Sequence, residues 1–253
     1  VVSELQEPDA RLQGAIIAAG RGTRLRTAGD DVPKPLVRLG GETLLARQAR
    51  AMVAAGAREV LAIVNSETAG IIAREKIELP AELRMTVRDT PNSMETLLAL
   101  GEFLDDGYFL AATVDAIIPQ AEFARFVSNG LLMIEKKSQT EKVTGDTFDG
   151  VLGVVKWRGD QHPLFAKVSD DGAIVALGEH QAPLVTAGVY LLHTAVFKFA
   201  QPARREKFSA LRRFLSMLID HGMRLGAIEL ANVIDVDEAS DLALARAALE
   251  VAR

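Results

Sequence analysis

Apolar residues along the chain fall into two recurring patterns. Short continuous runs, read as strands, alternate with longer segments whose apolar positions recur at three- and four-residue spacing, read as helices. Gly14–Ala18 is an apolar run that ends in Gly20, Gly22 and Thr23, a strand followed by a tight loop. From Thr43 to Ala55, apolar residues at Leu44, Leu45, Ala49, Met52 and Val53 mark a helix, and Gly56 closes it. Glu59–Val64 reads as a buried strand. Strand, loop, helix and strand within about fifty residues form a βαβ unit. The pattern continues with strands over Arg84–Arg88 and Tyr108–Val114 and helices over Ser93–Leu104 and Glu122–Ser128. A strand-rich stretch follows at Gly150–Trp157, Phe165–Val168, Ala173–Leu177 and Leu184–Leu192, with Asp170-Asp171-Gly172 as a hairpin turn. Helices over Phe208–His221 and Glu238–Ala252, with strands over Leu225–Leu230 and Val233–Val236 between them, complete the chain.

This order predicts an α/β protein with one mixed sheet, a domain over residues 13–253 preceded by a polar lead-in at 1–12. The lead-in carries three acids and no apolar segment, so it is not read as a secretory signal. No run approaches the ~20 apolar residues of a membrane span. With 49% hydrophobic and 25% charged residues in 253, the chain has the means to build a sizeable core. A net charge of −5 argues against a nucleic-acid footprint but leaves room for a local basic pocket. The absence of cysteine excludes a disulfide framework and thiolate metal sites, and fits a cytoplasmic protein.

The first chemistry-bearing segment is Ala18-Ala19-Gly20-Arg21-Gly22-Thr23-Arg24-Leu25. Gly20 and Gly22 let the backbone approach a ligand and turn N–H groups toward phosphate oxygens. Arg24 offers a planar fork for a phosphate, and Val32-Pro33-Lys34-Pro35-Leu36 presents Lys34 in a proline-stiffened segment. Leu25 stands where a dinucleotide fingerprint needs its third glycine, and no Gly-Lys-Ser/Thr follows as a P-loop requires. A plain βα turn is the bland alternative. The GxGTR-L segment with a following P-K-P-L is far more specific than two glycines alone.

Those two segments resemble the signature of the sugar-phosphate nucleotidyltransferases and their relatives acting on phosphorylated alcohols. The resemblance implies a Rossmann-like (GT-A-like) domain with a central mixed, mostly parallel sheet flanked by helices. It implies a loop of Ala18, Ala19, Gly20, Gly22 and Thr23 around a nucleoside triphosphate, with Arg24 and Lys34 neutralising phosphate charge. Such chemistry uses a divalent cation, here Mg2+, held by carboxylate oxygens. Asp115 directly follows an apolar strand, where ligands of open α/β sheets gather. In Val233-Ile234-Asp235-Val236-Asp237, strand periodicity places Asp235 and Asp237 on one face, though Asp237 also suits an N-cap. The family has an aspartate after its central strand and a second acid in a strand before a C-terminal helix. Asp115 and Asp235 match those positions, and Asp237 can add a third oxygen. Many members carry Gly-Asp where this chain has Val114-Asp115.

The Asn92-Ser93 step either caps a helix or touches the nucleotide, and there it resembles cytidylyltransferases for phosphocholine or inositol phosphate, which favours CTP. Lys167, Glu179 and Gly188 match a region near the phosphorylated acceptor, while a solvated lysine on an edge strand is the plain alternative for Lys167. Molybdopterin-type guanylyltransferases place their lysine closer to the glycine loop, and methylerythritol-phosphate cytidylyltransferases have a basic segment where Ala116-Ile117-Ile118-Pro119 stands, so both match less well. The expectation is transfer of a nucleoside monophosphate, CMP favoured, to a small phosphorylated acceptor. A non-catalytic nucleotide-binding relative is the alternative.

Overall fold

The computed structural model describes residues 12–20, 32–135, 148–159, 163–178 and 181–251. In chain order the elements are strand β1 (Gln13–Ala18), a 3-10 turn (Lys34–Leu36), strands β2 (Arg38–Leu39) and β3 (Glu42–Thr43), helix α1 (Leu44–Ala54), β4 (Glu59–Val64), α2 (Ser66–Glu75), β5 (Leu83–Val87), α3 (Ser93–Leu100), β6 (Tyr108–Thr113), β7 (Ala116–Ile117), α4 (Gln120–Glu135) and β8 (Gly150–Lys156). There follow β9 (Phe165–Val168), β10 (Ile174–Gly178), β11 (Leu184–His193), α5 (Ala200–Arg205), α6 (Leu211–Asp220), β12 (Leu225–Glu229), β13 (Ile234–Asp235) and α7 (Ala239–Val251). No helix among the described residues is long and apolar enough to cross a membrane.

Nine of the described strands form one mixed sheet. Its parallel part runs β6, β1, β4, β5. β11 pairs antiparallel with β6 through Val189–His193 and with β9 through Leu184 and Val185, while its other edge takes β8, which pairs parallel with β12. The strands read as continuous apolar runs because both faces are covered. Period two divides them: Ile16 and Ala18 face a core with Leu45, Met52, Phe123 and Phe126, whereas Ala15 and Ile17 face a core with Met94, Leu97, Phe214 and Leu218. Helices α1, α4 and α7 thus cover one side and α3, α5 and α6 the other.

Local signals set the element ends. Thr43 caps α1 by accepting the Ala46 N–H at 3.2 Å, and Gly56 leaves it with φ of 106°. Two helices depart from expectation. α4 spans Gln120–Glu135 rather than Glu122–Ser128 and runs on through Gly130; a Cβ there would lie 3.0 Å from Leu191 Cδ2, so the glycine allows the helix to pack closely on β11. α3 ends at Leu100 rather than Leu104, because the chain turns at Glu102 and Phe103 with hydrogen bonds to Ala99 and Leu100. Helices α2 and α5 have no counterpart in the sequence reading: only Thr68 and Ile72 are buried on α2 and only Ala203 on α5, too narrow a stripe to show.

Candidate active site

Parallel strands in register bring their carboxyl ends to one edge. Ala18 lies beside Val64 and Val64 beside Val87, while Ile17 lies beside Thr113. The segments leaving those strands, at Ala19-Gly20, Asn65, Asp89 and Asp115, therefore share that edge, where open α/β sheets bind ligands.

Lys34 reaches this edge from a turn that its prolines stiffen. Pro33 holds φ at −53°, Pro35 follows, and the Leu36 N–H donates to the Pro33 carbonyl at 2.8 Å. The lysine side chain is only 11% exposed. Its ammonium donates to Asp115 Oδ2 at 2.8 Å and to Asp237 Oδ1 at 2.5 Å.

A small ladder assembles the acids. Directly after Asp115, β7 pairs antiparallel with β13, setting Asp235 opposite Ala116, and the Val236 N–H donates to the Asp115 carbonyl at 3.1 Å. Strand pairing stops at Asp235, so the expected Val233–Val236 strand is shorter than its alternation suggests. Asp237 joins the cluster as the chain turns into α7, and its carboxylate meets Lys34. The N–H groups of Asp237 and Glu238 are received by Asp241 Oδ2 at 3.0 and 2.7 Å, a reach-back cap at the start of α7. Carboxylate oxygens of Asp115, Asp235 and Asp237 all lie within 4.8 Å of one another.

Charge follows geometry. Burial alone would lower the Lys34 ammonium, but Asp115 and Asp237 raise it to about 12. Burial opposes ionisation of Asp115, yet Lys34 and the Thr113 hydroxyl hold its carboxyl below the usual range. Asp235 goes the other way: burial, then the charges of Asp115 and Asp237, push it up to about 8. Tyr190 is raised by burial and by the same two acids, Asp115 and Asp235. Three neighbouring carboxylates, two of them bonded to one ammonium, offer hard oxygen donors that suit a divalent cation of the Mg2+ kind.

The other expected residues are distributed as follows. Ala18 and Ala19 are buried at the end of β1 and Gly20 is exposed; Gly22, Thr23, Arg24 and Glu179 lie outside the described residues. Asn92 caps α3, its Oδ1 accepting the Glu95 N–H at 3.0 Å, and Ser93 Oγ accepts the Leu211 N–H at 3.3 Å. Both side chains thus hold the helix frame. Lys167 is exposed on β9, which lies between β10 and β11 and is not the sheet edge its sequence context suggested. Gly188 sits in an irregularity of β11 with φ of 72°, and a Cβ there would stand 2.7 Å from Thr113 Oγ1 and 3.0 Å from Ala116 Cβ. It therefore borders Asp115 through the residues on either side of the Val114-Asp115 step.

Sequence reasoning missed Asn65. It is buried; its Nδ2 donates to the Ala19 carbonyl at 3.2 Å and its Oδ1 accepts the Thr68 N–H at 2.8 Å, so one carboxamide ties the start of the glycine loop to the start of α2. Asp89 adds a second tie, receiving the N–H of Ser66 at 3.1 Å and its hydroxyl. The available signal was an Asn-Ser pair directly after a strand, a helix-start mark.

The comparisons with known proteins agree with this geometry. A family model described as the MobA-like NTP transferase domain matches residues 14–184, spanning β1, the lysine turn and the strands around Asp115. The chain belongs to that family. The chain is also similar to a mannose-1-phosphate guanyltransferase of Aspergillus fumigatus, 26% identical over 199 residues, covering 74% of this chain and 51% of its own length. The Candida albicans protein of the same name is 30% identical over 123 residues, 46% of this chain and 34% of its own. The chain spans between about a third and a half of the length of these relatives. Among solved structures, the inositol-1-phosphate CTP transferase from T. maritima superposes with a TM-score of 0.67 at 20% identity, covering 92% and 91% of the two chains. A CTP:phosphocholine cytidylyltransferase from Streptococcus pneumoniae gives 0.69 at 18% identity, covering 94% and 99%. These two solved structures share the fold of this chain, a mostly parallel sheet flanked by helices.

Proposed function

We propose that this NTP-transferase domain moves a nucleoside monophosphate from an NTP to a small phosphorylated acceptor and releases pyrophosphate. The observation that carries the reading is the meeting of Lys34, Asp115, Asp235 and Asp237 at the sheet edge next to the Ala19-Gly20 loop. An oxygen of the acceptor phosphate attacks the α-phosphorus in line with the bond to the β-phosphate, that bond breaks, and pyrophosphate leaves with its electrons. The acceptor phosphate is already anionic at neutral pH, so no protein nucleophile or general base is needed.

Ala18, Ala19, Gly20, Gly22 and Thr23 supply the backbone that cradles the triphosphate, and Arg24 with Lys34 offsets its charge. Asp115 and Asp235, with Asp237 as third donor, hold the divalent cation, Mg2+, which when bound lends positive charge to the phosphate oxygens. Gly188, packed close against the Asp115 segment, borders the acceptor together with Lys167 and Glu179. A cytoplasmic setting, which a cysteine-free chain fits, belongs to the same reading.

CTP is the favoured nucleotide, supported by the Asn92-Ser93 step and by folds shared with two enzymes named for CTP. GTP with a sugar 1-phosphate is the second reading, because the curated relatives at 26–30% identity are named mannose-1-phosphate guanyltransferases. Pyrophosphate release is measured with Mg2+, each of four NTPs, and a panel of sugar 1-phosphates, inositol phosphate and phosphocholine. Release that needs one NTP and one acceptor class supports the proposal. Binding of a nucleotide without release for any pair points to the non-catalytic alternative.

A further inference from the structure

Lys34 is the one cation built into the described acid cluster, and its position is at odds with a lysine waiting for a phosphate. An ammonium has three N–H donors and no acceptor. Here two of them are committed to Asp115 Oδ2 and Asp237 Oδ1, in a pocket where the three side chains are 11%, 20% and 27% exposed. Those oxygens belong to the same set that a divalent cation would use. Mg2+ draws carboxylate oxygens to ~2.0–2.1 Å and demands near-ideal geometry, so it does not share them with an ammonium at 2.5–2.8 Å. The two positive charges also repel within this shielded space. Asp235 completes the picture: the two Lys34 hydrogen bonds go to the other acids, and Asp235 offers an entering cation a first oxygen.

We propose that Lys34 is an exchangeable counterion, neutralising Asp115 and Asp237 in the metal-free protein and released from at least one of them toward the anionic substrate when a divalent cation binds. The exchange needs only side-chain motion. Pro33 and Pro35 fix the backbone of the turn, whereas the lysine stem has four rotatable carbons. Lysine and metal then compete for the acids, and the same displacement that admits the metal delivers the ammonium to the phosphates. This rests on the metal-dependent reading given above.

The test uses Mn2+ as the probe, with free ion followed by electron paramagnetic resonance in the absence of nucleotide. Lys34→Met keeps the stem and removes the competing charge, and it is expected to bind Mn2+ more tightly by about tenfold or more, while Asp235→Asn weakens binding. Equal or weaker Mn2+ affinity in Lys34→Met than in wild type would overturn the exchange. Should Lys34→Met fail to fold, wild-type protein labelled with 15N-lysine answers the same question. A slowly exchanging Lys34 ammonium signal, assigned with Lys34→Arg, is expected without metal and is expected to disappear or shift on saturation with Mg2+; an unchanged signal overturns the proposal. If neither ion binds the wild type, with or without nucleotide, the metal-dependent reading itself falls and this proposal falls with it.

Discussion

Replacing Asp235 by asparagine is expected to make the metal-free protein more stable at alkaline pH while removing a metal ligand. In the folded chain, burial and the neighbouring charges of Asp115 and Asp237 push the Asp235 carboxyl from 3.8 up to about 8. Below pH 4 the group is protonated both folded and unfolded, and it contributes no pH dependence. Between about pH 4 and 8 the unfolded chain gives up the proton and the folded chain keeps it, so stability falls as pH rises. Above pH 8 both states are ionised and the full cost of confining a third negative charge is present. At about 1.4 kcal/mol per pH unit the undiminished cost would be roughly 6 kcal/mol. Asp235 is open to solvent on its outer side, and screening there reduces the expected figure to ~1–2 kcal/mol. Urea denaturation of wild type and Asp235→Asn in EDTA at pH 5 and pH 9 measures it. The two proteins should be nearly equal at pH 5, and the variant more stable at pH 9. With excess Mg2+ at pH 9 the order should reverse, because only wild type gains from binding the ion. Equal stability at both pH values without metal would refute the like-charge crowding on which the site assignment depends.

Other perturbations read different parts of the structure. Gly188→Ala places a methyl 2.7 Å from Thr113 Oγ1 at φ of 72°, and should cost ~2–4 kcal/mol in denaturation; a neutral result would remove the close approach of β11 to the Asp115 segment. Asn65→Ala breaks the buried ties to Ala19 and Thr68, and should cost ~1–3 kcal/mol with a raised KM for NTP; an unchanged KM would detach Asn65 from the glycine loop. Lys167→Ala should raise KM for the acceptor several-fold and leave KM for NTP unchanged, as initial rates with each substrate varied would show; the opposite pattern would remove Lys167 from the acceptor side.

How much of this was legible in the sequence depends on what each residue faces. Glu59–Val64 is a strand to the residue, since the continuous apolar run Val60–Val64 leaves little choice. Helix α2 was not legible, because a helix that buries only Thr68 and Ile72 shows no apolar stripe. The full length of α4 was not legible either, because it continues past Ser128 through Gly130, which packs close to Leu191. At the site, Lys34, Asp115, Asp235 and Asp237 were singled out by local context together with the family resemblance, not by context alone. Their mutual arrangement was not legible, as Lys34 is 81 residues from Asp115 and 203 from Asp237. The β7–β13 ladder that joins them is two residues per strand, too short for any periodicity to reveal. Asn65 escaped notice because its role lies in a long-range bond to the Ala19 carbonyl, which a helix-cap reading does not anticipate.

The most direct measurement is steady-state pyrophosphate release by wild type and Asp115→Asn, at saturating Mg2+, with the NTP and phosphorylated acceptor that turn over best. Release is expected to depend strictly on acceptor and Mg2+, with a loss of about a hundredfold or more in kcat for a variant that remains folded. Turnover in Asp115→Asn equal to wild type would contradict this expectation.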